Sequence, residues 1–334
     1  MKILVAGGAG FVGSYVVRRL VEKGHSITVV DNFSRGSEAN LPGQCVVWKC
    51  GVRELRPPDL MGYDAIWDFA ARVYGVRHLY DNPADLLVDN VETTIALLRS
   101  ATMASIKSYV YISSSCVYDH PAVQVPHCED DVGLCDTSYG WSKLFGEVLV
   151  RYHAEQYGLD TRIARLFNVY GPRDSLQSPH VIPDFILKAL AIVRQETIEF
   201  PLIGTGSQTR DFTWVEDAAD GIIAVAERGH PGEPYNVGTG REVSIFTLAN
   251  LVCSLFGLTV APNQRTACGL PYFVTMEAPE QDIQLRCADV EKIKQDTGWE
   301  AQVPLEDGLH RVKDWMVAAI MDGRMGTSRQ TPSG

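Results

Sequence analysis

The sequence has no long hydrophobic run. None of its apolar stretches approaches the roughly 18 residues of a membrane span, so no membrane partner is expected. The first apolar stretch is short and breaks at glycines, which is not the pattern of a signal peptide. Basic charge is also short: 30 Lys and Arg against 41 Asp and Glu leave a net −11. That balance argues against a nucleic-acid surface. An anionic ligand would need a local basic site rather than a global field. No C-x-x-C pair occurs among the eight cysteines. They read as mostly buried thiols of a cytoplasmic protein, not a disulfide framework or a metal site. No internal repeat is visible. What remains is a chain of 334 residues with 46% hydrophobic and 21% charged residues, enough for about two domains.

The stretch Gly7-Gly8-Ala9-Gly10-Phe11-Val12-Gly13 organises the first half. Lys2 to Ala6 before it reads as a buried strand. Ser14 to Lys23 after it carries Val16, Val17, Leu20 and Val21 at helix spacing. Gly8, Gly10 and Gly13 fit G-x-G-x-x-G, and Gly7 adds a G-x-x-G-x-x-G spacing. Strand, glycine turn and helix are the context of a dinucleotide fingerprint. The glycines allow a tight turn, close approach to a pyrophosphate and close helix packing. The helix N-terminus then faces the phosphates. A second strand, Ser26 to Val30, ends in Asp31, where a carboxylate would hold the adenosine ribose and favour NAD over NADP. Arg35 keeps a 2′-phosphate in play, and a purely structural glycine turn is the alternative.

Strands and helices alternate to about residue 171, the mark of a parallel, doubly wound sheet. Further strands are expected at Cys45 to Lys49, Asp64 to Phe69, Tyr109 to Ser113 and Thr161 to Leu166, and a long helix at Ala84 to Met103. Asp136 or Thr137 can cap a helix containing Tyr139 and Lys143. Later helices are expected at Val181 to Arg194, Val215 to Glu227, Val243 to Phe256, Ala288 to Thr297 and Leu305 to Met321. The expected fold is therefore α/β, a Rossmann-type doubly wound parallel sheet with a smaller mixed α/β C-terminal substrate domain. The first domain would be residues 1–171, with returning segments about 213–240. Residues 172–212 and 241–321 would form the second, and 322–334 a disordered tail.

Tyr139-Gly140-Trp141-Ser142-Lys143 places a phenol and an ammonium on one helix face. A nearby cation favours phenolate, so the tyrosine can act as a base. About 25 residues earlier a strand ends in Ser113-Ser114-Ser115-Cys116-Val117-Tyr118. With these motifs the chain resembles the extended short-chain dehydrogenase/reductase family, in its NAD-dependent nucleotide-sugar epimerase and dehydratase branch. Matching stretches also include Asp31-Asn32, Phe69-Ala70-Ala71, Asn82-Pro83, Asn90-Val91, Arg165 to Pro172, Gln208 to Phe212 and Tyr235 to Gly238.

The resemblance implies roles. Ser114 would be the catalytic serine and Tyr139 the base on a sugar hydroxyl. Lys143 would hold the nicotinamide ribose and lower the tyrosine pKa. NAD would be bound by Gly7, Gly10, Phe11, Val12, Gly13, Asp31, Asn32, Val52, Phe69, Ala70, Ala71, Asn90, Ser113, Tyr139, Lys143 and Phe167. A nucleotide-diphosphate sugar would meet Ser114, Ser115, Asn168, His180 and Arg210. Arg210 would pair with the pyrophosphate, or else form an ion pair with Asp211 or Asp217. Relatives dimerise through two long helices, so a homodimer is expected, with Val88, Val91, Ile95, Leu98, Leu144, Val148 and Leu149 as candidate second faces.

Three departures stand out. Gly51-Val52 replaces an Asp–hydrophobic pair, so adenine would rest on Val52 without that carboxylate. Ser115 and Cys116 stand where dehydratases and decarboxylating members carry acids, which disfavours 4,6-dehydration. Pro279-Glu280-Gln281 precede Asp282 where an arginine is usual, leaving Arg265 or Arg286 as substitutes. Cys116 matches the position of an acid/base cysteine in GDP-mannose 3,5-epimerase, where His180 is adjacent to the partner's place. The alternative is that Cys116 only packs. The expected activity is a nucleotide-sugar 4-epimerase working through a 4-keto intermediate. The alternatives are a 3,5-epimerase using Cys116, a net sugar dehydrogenase, and a non-catalytic NAD-binding regulator.

Overall fold

The computed structural model describes residues 1–72, 82–119, 125–133, 135–174, 180–264, 267–278 and 283–322. The expected tail beyond 322, Arg265 and the 279–282 segment lie outside the described residues. The first half runs β1 (Lys2–Ala6), α1 (Phe11–Glu22), β2 (Ser26–Asp31), β3 (Val46–Lys49), α2 (Pro57–Leu60), β4 (Ala65–Asp68), α3 (Pro83–Met103), β5 (Ser108–Ser114), α4 (Ser138–Tyr157) and β6 (Asp160–Leu166). It continues through β7 (Val169–Tyr170), α5 (Val181–Val193), β8 (Glu199–Ile203), β9 (Thr209–Arg210), β10 (Thr213–Trp214), α6 (Val215–Arg228), β11 (Pro234–Val237), β12 (Val243–Ser244), α7 (Ile245–Leu255), β13 (Tyr272–Met276), α8 (Glu291–Thr297) and α9 (Leu305–Met321).

Seven strands form one sheet in the order β3-β2-β1-β4-β5-β6-β11, and every pairing in it is parallel. Alternation in β1 shows why both faces are covered. Ile3 and Val5 pack with Val16, Val17 and Leu20 of α1. Leu4 and Ala6 pack with Leu97, Leu98 and Ala101 of α3. Strands buried on both faces are the parallel-sheet pattern. Strand order reverses between β1 and β4, so their carboxyl ends open a crevice, the usual ligand position of such sheets. The fold is the Rossmann-type α/β arrangement.

The smaller pairings lie in the second half: β7 with β10, β9 with β12 and β8 with β13. The expected helix from Val243 begins two residues later. Val243 and Ser244 pair with β9, and the Ser244 hydroxyl then caps the helix by accepting from Thr247 N–H at 3.0 Å. The helix expected from Ala288 begins at Glu291, because Ala288 bridges to His127 and Asp289 Oδ1 accepts from Glu291 N–H at 2.9 Å.

Helix α4 carries the tyrosine to the crevice. Thr137 is its cap, with Oγ1 accepting from Gly140 N–H at 3.0 Å. Gly140 must be bare, since a Cβ there would collide with the Cys116 carbonyl. That close approach sets Tyr139 beside the end of β5. Beneath, Arg165 of β6 pairs with Glu147 of α4 at 2.7 and 2.9 Å and donates to Tyr118 Oη and Glu129 O, each at 2.7 Å. Ser113 Oγ donates to the same carboxylate at 2.5 Å. A buried pair supported this fully fixes orientation more than it adds stability. Leu98, expected on a second outward face of α3, is fully buried in the core. Among the described residues no helix is long and apolar enough to cross a membrane.

Candidate active site

The glycine loop closes on the end of β4. Gly7 has φ +71°, and a Cβ there would lie 2.8–2.9 Å from the Phe69 and Ala70 backbone. Gly10 begins α1 with no side-chain cap. The N–H groups of Phe11, Val12 and Gly13 therefore have no carbonyl within the helix to bind. Such a bare N-terminus over a bare loop fits a dinucleotide pyrophosphate. Asp31 is buried, with Oδ2 accepting from Ala9 N–H at 3.0 Å and Oδ1 from Phe33 N–H at 2.8 Å. Its carboxylate thus shapes the loop, and each oxygen keeps a lone pair for a ribose hydroxyl. Asn32 Oδ1 accepts from Ser34 N–H at 3.0 Å. Val52 lies against the core of Ala6 and Val30. Ala71 is half-buried at the end of β4. Asn90 grips the next residue: Oδ1 accepts from Arg72 N–H at 2.6 Å, and Nδ2 donates to Arg72 O and Ser142 Oγ.

The chemistry-bearing groups meet where β5 ends. Ser114 caps a 3₁₀ turn over Ser115–Tyr118, its Oγ accepting from Cys116 N–H at 3.2 Å. Burial holds the Tyr139 phenol above its ordinary pKa, Cys116 adds to that, and Arg35 and Ser114 oppose it. Lys143 Nζ lies 5.9 Å from the Tyr139 ring centre and donates to Ile112 O at 2.8 Å. Burial lowers its pKa to about 8, against the pull of Asp68, Glu147 and Cys116. Arg35, read from the sequence as a feature for NADP, also faces this group and pulls the phenol pKa down.

Cys116 stands inside this group. Its carbonyl accepts from Asp119 N–H at 3.2 Å, and its N–H donates to Ser114 Oγ. Burial raises the thiol pKa, Asp119 raises it further, and Arg286 and Ser114 pull it down. Asp119 and Arg286 form a buried ion pair, and Asp119 Oδ2 also accepts from Thr137 Oγ1 at 3.3 Å. Arg286 Nε is buried with no hydrogen-bond partner among the described residues. Behind it His127 stacks on Tyr118 at 4.8 Å. Burial and Arg286 lower the pKa of that imidazole.

His180 comes from the start of α5. Its Nδ1 sits 2.8 and 3.1 Å from the two oxygens of buried Asp174. Burial disfavours the imidazolium, but Asp174 outweighs it and raises the pKa, with Arg35 opposing. Arg35 thus acts electrostatically on both His180 and Tyr139. Asn168 has φ +25°, uncommon for a residue with a side chain, and its buried Oδ1 has no partner among the described residues. Phe167 and Ser115 are buried beneath the site. The Ser113 hydroxyl is spent on Glu147. Arg210 donates to Thr209 O and Ile283 O at 2.7 and 2.8 Å. Asp211 and Asp217, its expected ion-pair partners, accept from backbone N–H groups of Thr239, Gly240 and Ala288, and of Gln302 and Val303.

Sequence reasoning missed Asp119, Asp174 and the Glu147 partner of Arg165. Asp119 had a signal. It follows Cys116 by three residues, and one 3₁₀ turn stacks such positions. Arg286 was named only as a phosphate substitute, and the structure places it on Asp119.

A family model described as the NAD dependent epimerase/dehydratase family matches residues 3–238. The chain is 31% identical over 317 residues to UDP-glucuronic acid decarboxylase 1 of Xenopus tropicalis, covering 93% of this chain and 70% of that one. It is 31% identical over 323 residues to UDP-glucuronic acid decarboxylase 3 of Arabidopsis thaliana, covering 92% and 87%. Among solved structures it is similar to UDP-glucose 4-epimerase of Thermotoga maritima, bound to UDP-glucose (TM-score 0.84, 27% identity, covering 96% and 100%). It is also similar to dTDP-glucose 4,6-dehydratase of Streptomyces venezuelae with NAD bound (TM-score 0.83, 27% identity, covering 95% and 97%). The chain, an enzyme with NAD as cofactor, belongs to the NAD-dependent epimerase/dehydratase family.

Proposed function

We propose that the protein is a nucleotide-sugar epimerase that works through a 4-keto intermediate and exchanges protons beside that ketone, at C3 or C5. The observation that carries this reading is the place of Cys116, in the turn after β5 with its N–H on Ser114 Oγ, its carbonyl packed against the residue after Tyr139, and the buried Asp119–Arg286 pair one turn on.

NAD, which the glycine loop and Asp31 would hold, would supply a reversible hydride acceptor for C4. Tyr139 takes the O4 proton as the ketone forms and gives it back on reduction. Ser114 hydrogen-bonds the same oxygen. A C4 ketone acidifies the protons on C3 and C5. His180, backed by Asp174, removes one of them, and the Cys116 thiol delivers a proton to the same carbon. The C–H bond lost at one face is replaced by a C–H bond at the other, with no net redox change. The two carriers come from separate elements, the turn after β5 and the start of α5, as protonation on a second face requires. Asn168, whose Oδ1 has no partner among the described residues, and Arg210 would hold the substrate's sugar and diphosphate.

The competing reading is simple 4-epimerisation, the activity printed for the Thermotoga maritima neighbour. It needs Tyr139, Ser114 and a sugar that turns over, but neither Cys116 nor His180. A panel of UDP-, GDP-, CDP- and dTDP-sugars incubated with the enzyme in D2O, read by NMR, decides between them. Deuterium at C3 or C5 supports the proposal. An inverted C4 without uptake leaves the 4-epimerase standing.

A further inference from the structure

The ion pair between Asp119 and Arg286 lies beside the reacting groups, yet neither member has a role in the steps above. A buried guanidinium at a sugar site is a natural partner for a carboxylate, because its fork matches two oxygens. The decarboxylases similar to this chain are named for a sugar acid. In this protein the guanidinium already has a carboxylate. Asp119 Oδ1 accepts from Arg286. Its other oxygen is tied to Thr137, the cap of α4, so the aspartate is fixed to the same helix end as Tyr139. Both side chains are buried, Asp119 at 2% and Arg286 at 10% exposure, so water screens the pair little.

We propose that Asp119 is a specificity-determining residue that closes the sugar site to carboxylate-bearing (uronate-type) substrates by neutralising Arg286, leaving a site matched to an uncharged hexosyl group. The inference rests on the reading that Cys116 faces the sugar. A second carboxylate entering beside Arg286 would share one cation with Asp119, and two like charges in a weakly screened site repel strongly. A neutral hydroxymethyl or methyl group meets no such barrier. Arg286 keeps an Nε–H with no partner among the described residues, which a sugar hydroxyl can accept.

Cys116 serves as a local probe that does not depend on turnover or on knowing the nucleotide. The NAD-loaded full-length protein is alkylated with iodoacetate, which carries a carboxylate, or with iodoacetamide, which is neutral. Rates at Cys116 are read by peptide mass mapping, which separates it from the exposed Cys128 and Cys268. Both reagents need the thiolate, so the rate ratio cancels any change in thiol pKa and reports only the charge beside the sulfur. Asp119→Asn should raise the iodoacetate-to-iodoacetamide ratio about tenfold or more. Arg286→Gln reads the same pair from the other side and should lower the ratio by a similar factor, so the test survives if one variant does not fold. A ratio within about twofold of wild type in a folded variant overturns the proposal. The D2O experiment can fail or succeed independently, because it follows proton exchange and not local charge.

Discussion

The phenol, the lysine and the thiol are each moved off their ordinary pKa by burial, and charged neighbours only trim the effect. Lys143 gives a sharp consequence. Its pKa is about 8 when folded and 10.5 ordinarily. Between those values the unfolded chain holds a proton that the folded one has released. Stability of the cofactor-free protein should therefore rise with pH from about 8 to about 10.5 through this group. Lys143→Met should flatten that rise, and equal slopes in urea titrations of the two proteins would contradict it. Asp31→Ala should weaken NAD more than NADP, since it removes ribose hydrogen bonds and a repulsion. It should also lower the melting temperature, because Ala9 and Phe33 lose an acceptor. Equal losses for the two cofactors, read by calorimetry, would make Asp31 structural only. The Tyr139 and Lys143 pair was legible because both lie on one helix turn. His180 with Asp174, and Arg286 with Asp119, were not, because each pair is made by tertiary contact.

At the scale of elements, the sheet and its helices were readable because apolar periodicity and glycines mark each boundary. The exceptions came where pairing overrode local pattern, as at β12 and at the bridge of Ala288 with His127. The buried joint of α4, β5 and β6 is invisible to periodicity, since Glu147 and Arg165 look like ordinary surface charges. Glu147→Gln leaves Arg165 buried without its counter-charge, so unfolding free energy should fall by about 3–5 kcal/mol. The double change Glu147→Leu with Arg165→Met should recover most of that loss. A single variant within about 0.5 kcal/mol of wild type in urea unfolding would show that the joint is not what orients α4.

At the scale of the molecule, α3 and α4 pack on each other and still leave apolar side chains outside. Trp141, Phe145 and Tyr152 are exposed at i, i+4 and i+11 of α4, and Val88 is exposed on α3. An outward stripe of this kind marks an interface. We propose that two chains pair through it. Light scattering at micromolar concentration should give twice the 36.8 kDa chain mass, and Phe145→Asp should give one chain. A monomeric wild type would remove the claim.

The whole account turns on whether Cys116 moves a proton or fills space. Cys116→Ala is the test, with a responsive sugar nucleotide in D2O and NMR detection. The account predicts that inversion at C3 or C5 stops, with any deuterium that His180 returns confined to the original face, while hydride exchange between NAD and C4, which uses Tyr139, continues. A variant that keeps full inversion at C3 or C5 and full turnover, at a stability cost of about 1 kcal/mol for the lost sulfur, would contradict it.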